Sequence, residues 1–274
     1  TVYDVPHEPR PWGWRVSAYL WTKSVAAGAA LVAAVGALGS GPGVSGAALP
    51  GIALLFLVLT LTLLVVDLKR PDRFLYVLLK PNPRSWLVWG AGILTAFGLA
   101  LGLWLLAALA GRSGLLPVLA PPLVALAVAS AGYSAFLFAQ AEGRDFWQSP
   151  LVLPHLLAAA VVAGAAAATL VQGPSPGLRG VFLAALGVHL LLVIAELFTP
   201  HANLDAGAAA GWVTHGPGGR AFWGGVVLAG TLAPAVLLLG AWSAAAAVAS
   251  VLALAGLYLW EDLWVRAGQV PALS

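Results

Sequence analysis

Leu49-Pro50-Gly51-Ile52-Ala53-Leu54-Leu55-Phe56-Leu57-Val58-Leu59-Thr60-Leu61-Thr62-Leu63-Leu64-Val65-Val66 carries no charge over eighteen residues. A helix needs about 20 apolar residues to cross ~30 Å of hydrocarbon. The run has no polar face, so it does not suit a helix at a protein–water surface. It reads as a membrane span. Similar runs occupy residues 17–38, 86–110, 117–140, 151–171, 177–198, 221–240 and 243–260, which makes eight spans in all. Breakers separate them: Gly39 to Gly43, Pro117 with Pro121-Pro122, Gly173 to Gly177, and the hairpin Gly240 to Ser243. The fold class expected is an all-α integral membrane protein.

Composition agrees. Of 274 residues, 61% are hydrophobic and 8% charged, whereas soluble domains carry roughly a quarter charged residues. That excludes a water-facing globular enzyme. The net charge of +3 belongs to basic loops and suggests no nucleic-acid partner. Without Cys the chain itself holds no iron–sulfur cluster, thiolate metal site or disulfide. The polar opening, Thr1 to Arg15, lacks the apolar core of a signal peptide. With Thr at position 1 and no Met, the start looks trimmed.

The expected organisation is a polar segment 1–16, a first four-helix bundle 17–140, a second 141–260, and a tail 261–274. Small residues crowd two spans, at Ala26-Ala27-Gly28-Ala29-Ala30 and from Ala158 to Ala168. In lipid, helices associate through close packing, and small faces let backbones approach. Eight spans put both termini on one face. By this count that face carries 11 of the Lys and Arg residues, while the other has Arg112 and Arg179. The positive-inside rule then places the termini in the cytoplasm. A basic face that docks an acidic partner gives the same pattern.

Ionisable residues in spans are costly and mark functional sites. His189 and Glu196 share one face of the sixth span, about two turns apart. Asp67 ends the second span, Gln140 and Glu142 end the fourth, and His155 lies one turn into the fifth. Glu261-Asp262 end the eighth. Lys23, on the first, has a stem long enough to snorkel to the nearer surface. All but His189 sit near the terminus-bearing face, which suits a site entered from lipid and served by protons from water. Tyr19, Tyr133, Trp12, Trp14, Trp86 and Trp147 lie at similar depth as walls or partners. Trp and Tyr at span ends are by default interface anchors, but Tyr133 sits about two turns inside, where a phenol needs a partner. Haem is not expected: His155 and His189 differ in depth by roughly two turns.

Asp67-Leu68-Lys69-Arg70-Pro71-Asp72-Arg73-Phe74, with Lys80-Pro81-Asn82-Pro83-Arg84-Ser85-Trp86, resembles a loop of the NrfD/PsrC-like family. These are membrane subunits of polysulfide reductase and related enzymes. The ending Arg266-Ala267-Gly268-Gln269-Val270-Pro271-Ala272-Leu273-Ser274 resembles that family's tail. The opening Trp12-Gly13-Trp14 … Tyr19 … Ala27-Gly28 and the junction Gly132-Tyr133 … Phe146-Trp147-Gln148-Ser149-Pro150 are similar to its first helix and its fourth-to-fifth connection. The resemblance runs over nearly the whole chain. It implies a menaquinone or ubiquinone bound beside a docked ferredoxin-like [4Fe-4S] subunit, with a molybdopterin subunit doing the substrate chemistry. It puts Tyr133 and Tyr19 on the quinone; Trp14 and Trp147 are further quinone-site candidates, and Lys23, unusual on this helix, is a candidate that compensates for the departure below. The chain departs from the family pattern at Arg15-Val16, where a polar Asn is usual one turn before Tyr19.

The reading that follows is a quinone-reactive anchor in a prokaryotic inner membrane, with no haem and no cluster of its own. Asp67, Asp72, Glu142, His189 and Glu196 are the proton-transfer candidates. Arg70, Arg73, Arg84 and Arg144 are the candidates for docking the partner. Two alternatives stand beside it: the quinol-oxidising subunit of an alternative complex III-like assembly, and a small-solute or proton transporter. A transporter would show inverted repeats around a midplane site.

Overall fold

The computed structural model describes residues 12–39, 46–67, 82–141, 143–240 and 242–271. Among them, eight helices are long and apolar enough to cross a membrane. They are α1 (Trp14–Leu38), α2 (Ala48–Asp67), α3 (Trp86–Leu109), α4 (Leu116–Ala139), α5 (Val152–Gln172), α6 (Pro176–Phe198), α8 (Ala221–Leu239) and α9 (Ser243–Ala267). A short helix, α7 (Leu204–Thr214), lies in the α6–α8 connection. Large apolar side chains stay exposed along the outside, among them Leu99, Leu191 and Val236. Such a surface is stable only against lipid.

Local chemistry accounts for the ends. Ser175 caps α6 by accepting from the Leu178 amide, with Pro176 in the first turn, where its missing N–H costs nothing. Asn203 caps α7 by accepting from the Ala206 amide. Pro121 and Pro122, read from sequence as helix openers, instead lie inside α4, which already begins at Leu116. Helices in membranes tolerate such prolines because neighbours re-satisfy the freed backbone groups.

The small-residue spans form the centre. In α1 and α5, 67% and 78% of the apolar window is buried, against 28–39% in the other six. Gly28 and Gly164 meet backbone to backbone where the two cross, and a Cβ on either would overlap the other helix. α1 also packs on α2, α4 and α9. A second close crossing joins Gly230 of α8 to Gly256 of α9. There α8 is wound as a π-helix from Ala221 to Leu232, and the Thr231 hydroxyl donates five residues back to the Val226 carbonyl.

Three details differ from the sequence reading. The last span runs on to Ala267, so residues 261–267, expected in the tail, are helical. The 199–220 connection contains α7. Lys23 does not snorkel; it is fully buried.

The first and last described stretches, at Trp12 and Gln269, meet. The Gln269 side chain accepts from the Trp12 amide at 3.0 Å and donates to the Trp12 carbonyl at 2.9 Å. Gly268 packs on the Trp147 indole, where a Cβ would not fit. The tail motif is thus a clasp that joins the start of α1, the end of α9 and the α4–α5 turn.

Candidate functional site

Tyr19 and Lys23 are four residues apart on α1, so they share a face. Both are buried, and both turn toward α4. The Lys23 ammonium donates to the Ala131 carbonyl at 3.0 Å and to the Ser134 hydroxyl at 2.6 Å. It sits 4.7 Å from the Tyr133 ring centre, a cation–π distance. Tyr19 approaches the same Ser134 hydroxyl. The Tyr133 ring packs against Gly90 of α3, where any side chain would strike it. Three predicted residues therefore converge: Tyr19, Lys23 and Tyr133. Asp67, half-buried at the end of α2, is close enough to Arg15 and Tyr19 to act on both electrostatically.

The other candidates fall elsewhere. Trp14 is 58% exposed, with the Arg15 guanidinium over its ring. Trp147 is buried in an aromatic stack, 4.5 Å from Trp12, and its N–H reaches the Trp264 carbonyl. Arg144 turns inward to donate to the Gly268 and Pro271 carbonyls. Burial pulls its guanidinium below the ordinary arginine pKa. Arg84 is exposed, and its carbonyl accepts from the Gln140 side chain. Arg70, Asp72, Arg73 and Glu142 lie outside the described residues.

A second buried polar cluster lies between α5, α6 and α9. His155 is at its centre. The Trp260 indole donates to His155 Nε2 at 2.7 Å. An indole N–H only donates, so Nε2 accepts and the neutral imidazole carries its proton on Nδ1. Nδ1 faces Glu196 Oε2 at 3.4 Å, while the Trp264 indole donates to Glu196 Oε1 at 2.9 Å. Glu261 Oε1 stands 3.8 Å from His155 Nε2. Both Glu261 oxygens are buried without a hydrogen-bond donor. His189 meets His155 edge to face, 5.3 Å between ring centres.

This arrangement corrects the depth argument. His155 and His189, expected about two turns apart in depth, touch through their rings. Glu261, read as a span-end residue, is a buried carboxyl inside the bundle. The signal was present: apolar and aromatic residues recur at helical spacing through Leu257, Trp260, Trp264 and Ala267. Among the described residues, no group of three His, Asp or Glu is placed to hold a metal ion.

A pocket of about 460 Å³ opens between the α4–α5 turn, the end of α6 and α7, and Glu196 forms part of its wall. Asp145, Gln148, Thr199, His201 and Asn203 supply polar lining. Asn203 hydrogen-bonds to Asp145 across it.

Eight apolar helices, closed by a clasp between Trp12 and Gln269 around buried polar clusters, define a multi-span membrane protein. Residues 5–271 match the family described as "Polysulphide reductase, NrfD", and the chain belongs to that family. Over 124 residues it is 33% identical to a protein of Halobacterium salinarum named as a dimethyl sulfoxide reductase membrane subunit. That stretch covers 37% of this chain and 28% of the relative.

Proposed function

We propose that the chain is the quinone-reactive membrane anchor of a multi-subunit oxidoreductase. It passes electrons between the [4Fe-4S] clusters of a ferredoxin-like partner and a menaquinone or ubiquinone from the bilayer. The substrate chemistry belongs to a molybdopterin subunit. The observation that carries this reading is the convergence of Tyr19, Lys23 and Tyr133 at one buried point.

The donor set fits a quinone. Such a site needs hydrogen bonds for the ring oxygens, within apolar and aromatic walls. Two phenols and an ammonium meet here, and Lys23 uses two of its three hydrogens on α4. When bound, the quinone supplies two-electron, two-proton redox chemistry. Lys23 orients an oxygen by charge-assisted donation. Tyr133 is fixed by Gly90 beneath its ring and Lys23 over its face. Asp67 lies between the site and the terminus-bearing face, where it holds or passes a proton. Exposed Arg84 belongs to the basic face that docks the cluster-bearing partner. That face lies on the cytoplasmic side of a prokaryotic inner membrane, as the arginine bias suggests.

The test is to purify the complex from its native membrane in mild detergent. Co-purifying chains and lipids are then identified by mass spectrometry. A cluster-binding subunit, a molybdopterin subunit and stoichiometric quinone are expected. A chain that purifies alone and without quinone overturns the reading.

A further inference from the structure

We propose that His155, Glu196 and Glu261 form a proton relay of their own, opening to water through the Glu196 pocket, with Glu261 as its inner proton-binding group. The relay stands on geometry separate from the Tyr133 site and does not depend on the identity of any redox ligand. Three observations carry it: a donorless buried carboxyl at Glu261, a histidine between two carboxyls, and a pocket that Glu196 helps to line.

Glu261 is 1% exposed, and neither oxygen has a donor. Burying a carboxyl group without a hydrogen-bond partner is costly, which sets Glu261 apart from the rest of the bundle. Glu196 differs. The Trp264 indole donates to its Oε1, while Oε2 faces His155 Nδ1 from 3.4 Å without a hydrogen bond. The order from inside to outside is thus Glu261, His155 with its proton on Nδ1, and Glu196.

That order poises the relay for release. Glu261 gives its proton to His155 Nε2 as the Trp260 N–H yields its place. His155 passes the Nδ1 proton to Glu196 Oε2. Glu196 releases it to water in the pocket. One proton enters the imidazole as another leaves, so no charge accumulates on His155. The separations of 3.8 Å and 3.4 Å exceed hydrogen-bond length. Each step therefore needs a small side-chain rotation, which makes the relay a gate and not a fixed wire.

Other charged groups face this cluster from its neighbours. His189 of α6 touches His155. Lys23 of α1 and Glu261 lie within electrostatic reach of each other. Tyr19 of α1 also feels Glu261. Asp145 and His201 lie at the pocket. Asp262 points away from Glu261, to Ser17 and Arg266.

The test uses infrared difference spectroscopy on the full chain in detergent, within its complex if one co-purifies. The probe is a switch from water to deuterated water. The wild type is expected to show a protonated-carboxyl C=O band that shifts within the mixing time. E261Q removes that band. E196Q and His155→Phe keep the band but slow its exchange by about a hundredfold, the scale of a lost acid–base group. Ala202→Trp narrows the pocket while leaving every relay residue in place, and is expected to slow exchange as well. It serves as the test should a core variant fail to fold. A band that survives E261Q, or exchange unchanged in E196Q, H155F or A202W, overturns the proposal. Loss of quinone binding in a Tyr133 variant, with this exchange intact, would bear only on the redox reading.

Discussion

Gly90→Ala tests the Tyr133 site with one methyl group. A Cβ at position 90 would lie 2.8 Å from Tyr133 Cδ2 and 3.0 Å from Cζ, with Cε2 nearer still. Ordinary carbon contacts begin near 3.5 Å. The ring must therefore retreat by about 1 Å to restore contact distance. An O–H···O bond is made between about 2.5 and 3.0 Å, so a retreat of that size breaks it. One neutral hydrogen bond is worth about 0.5–1.5 kcal/mol, or about two- to twelvefold in quinone affinity. Gly92→Ala is the matched control, because a Cβ there meets nothing within 4 Å. The assay is a fluorescence titration with a short-chain quinone, read through the chain's 12 tryptophans. G90A is expected to weaken binding and G92A to leave it alone. Equal affinity in both variants and the wild type would refute the reasoning.

Three further outcomes follow from the packing. Lys23→Met removes the buried ammonium that donates to α4, and a charge-assisted bond of about 1.5–3 kcal/mol predicts quinone binding weaker by about ten- to a hundredfold in the same titration. Gln269→Leu strips both partners from the Trp12 backbone, at about 1–3 kcal/mol for each group left buried, and should lower the melting temperature in detergent by several degrees. Gly164→Val wedges α5 away from α1, so membrane accumulation of the chain should collapse, whereas Gly187→Val, which faces open space, should accumulate normally on a quantitative blot.

The fold was legible because lipid simplifies the code. Uncharged runs of span length leave little choice but helix; that the Ala-rich runs at 26–30 and 158–168 belong to the most buried pair came from the structure. Tyr19, Lys23 and Tyr133 were legible as an intramembrane polar set, although the direction of Lys23 was not. Whether a lysine snorkels or turns inward depends on acceptors of another helix, here Ala131 and Ser134, which lie more than a hundred residues away. The His155–Glu261 contact was hidden for the same reason. Depth counted along each helix treats them as parallel rods, and it cannot register tilt or the reach of side chains between α5 and α6. Where the last helix ends mattered most. Stopping the span at 260 put Glu261 at a surface, whereas helix to Ala267 puts it inside.

The most direct test of the central claim is photolabelling of the purified complex with an azido-quinone, followed by peptide mass spectrometry. The account predicts label on the α1 segment around Tyr19 and Lys23 and on the α4 segment around Tyr133, competed away by unlabelled quinone and lost in K23M. Label confined to other helices, or label at these segments that excess quinone does not displace, would contradict it.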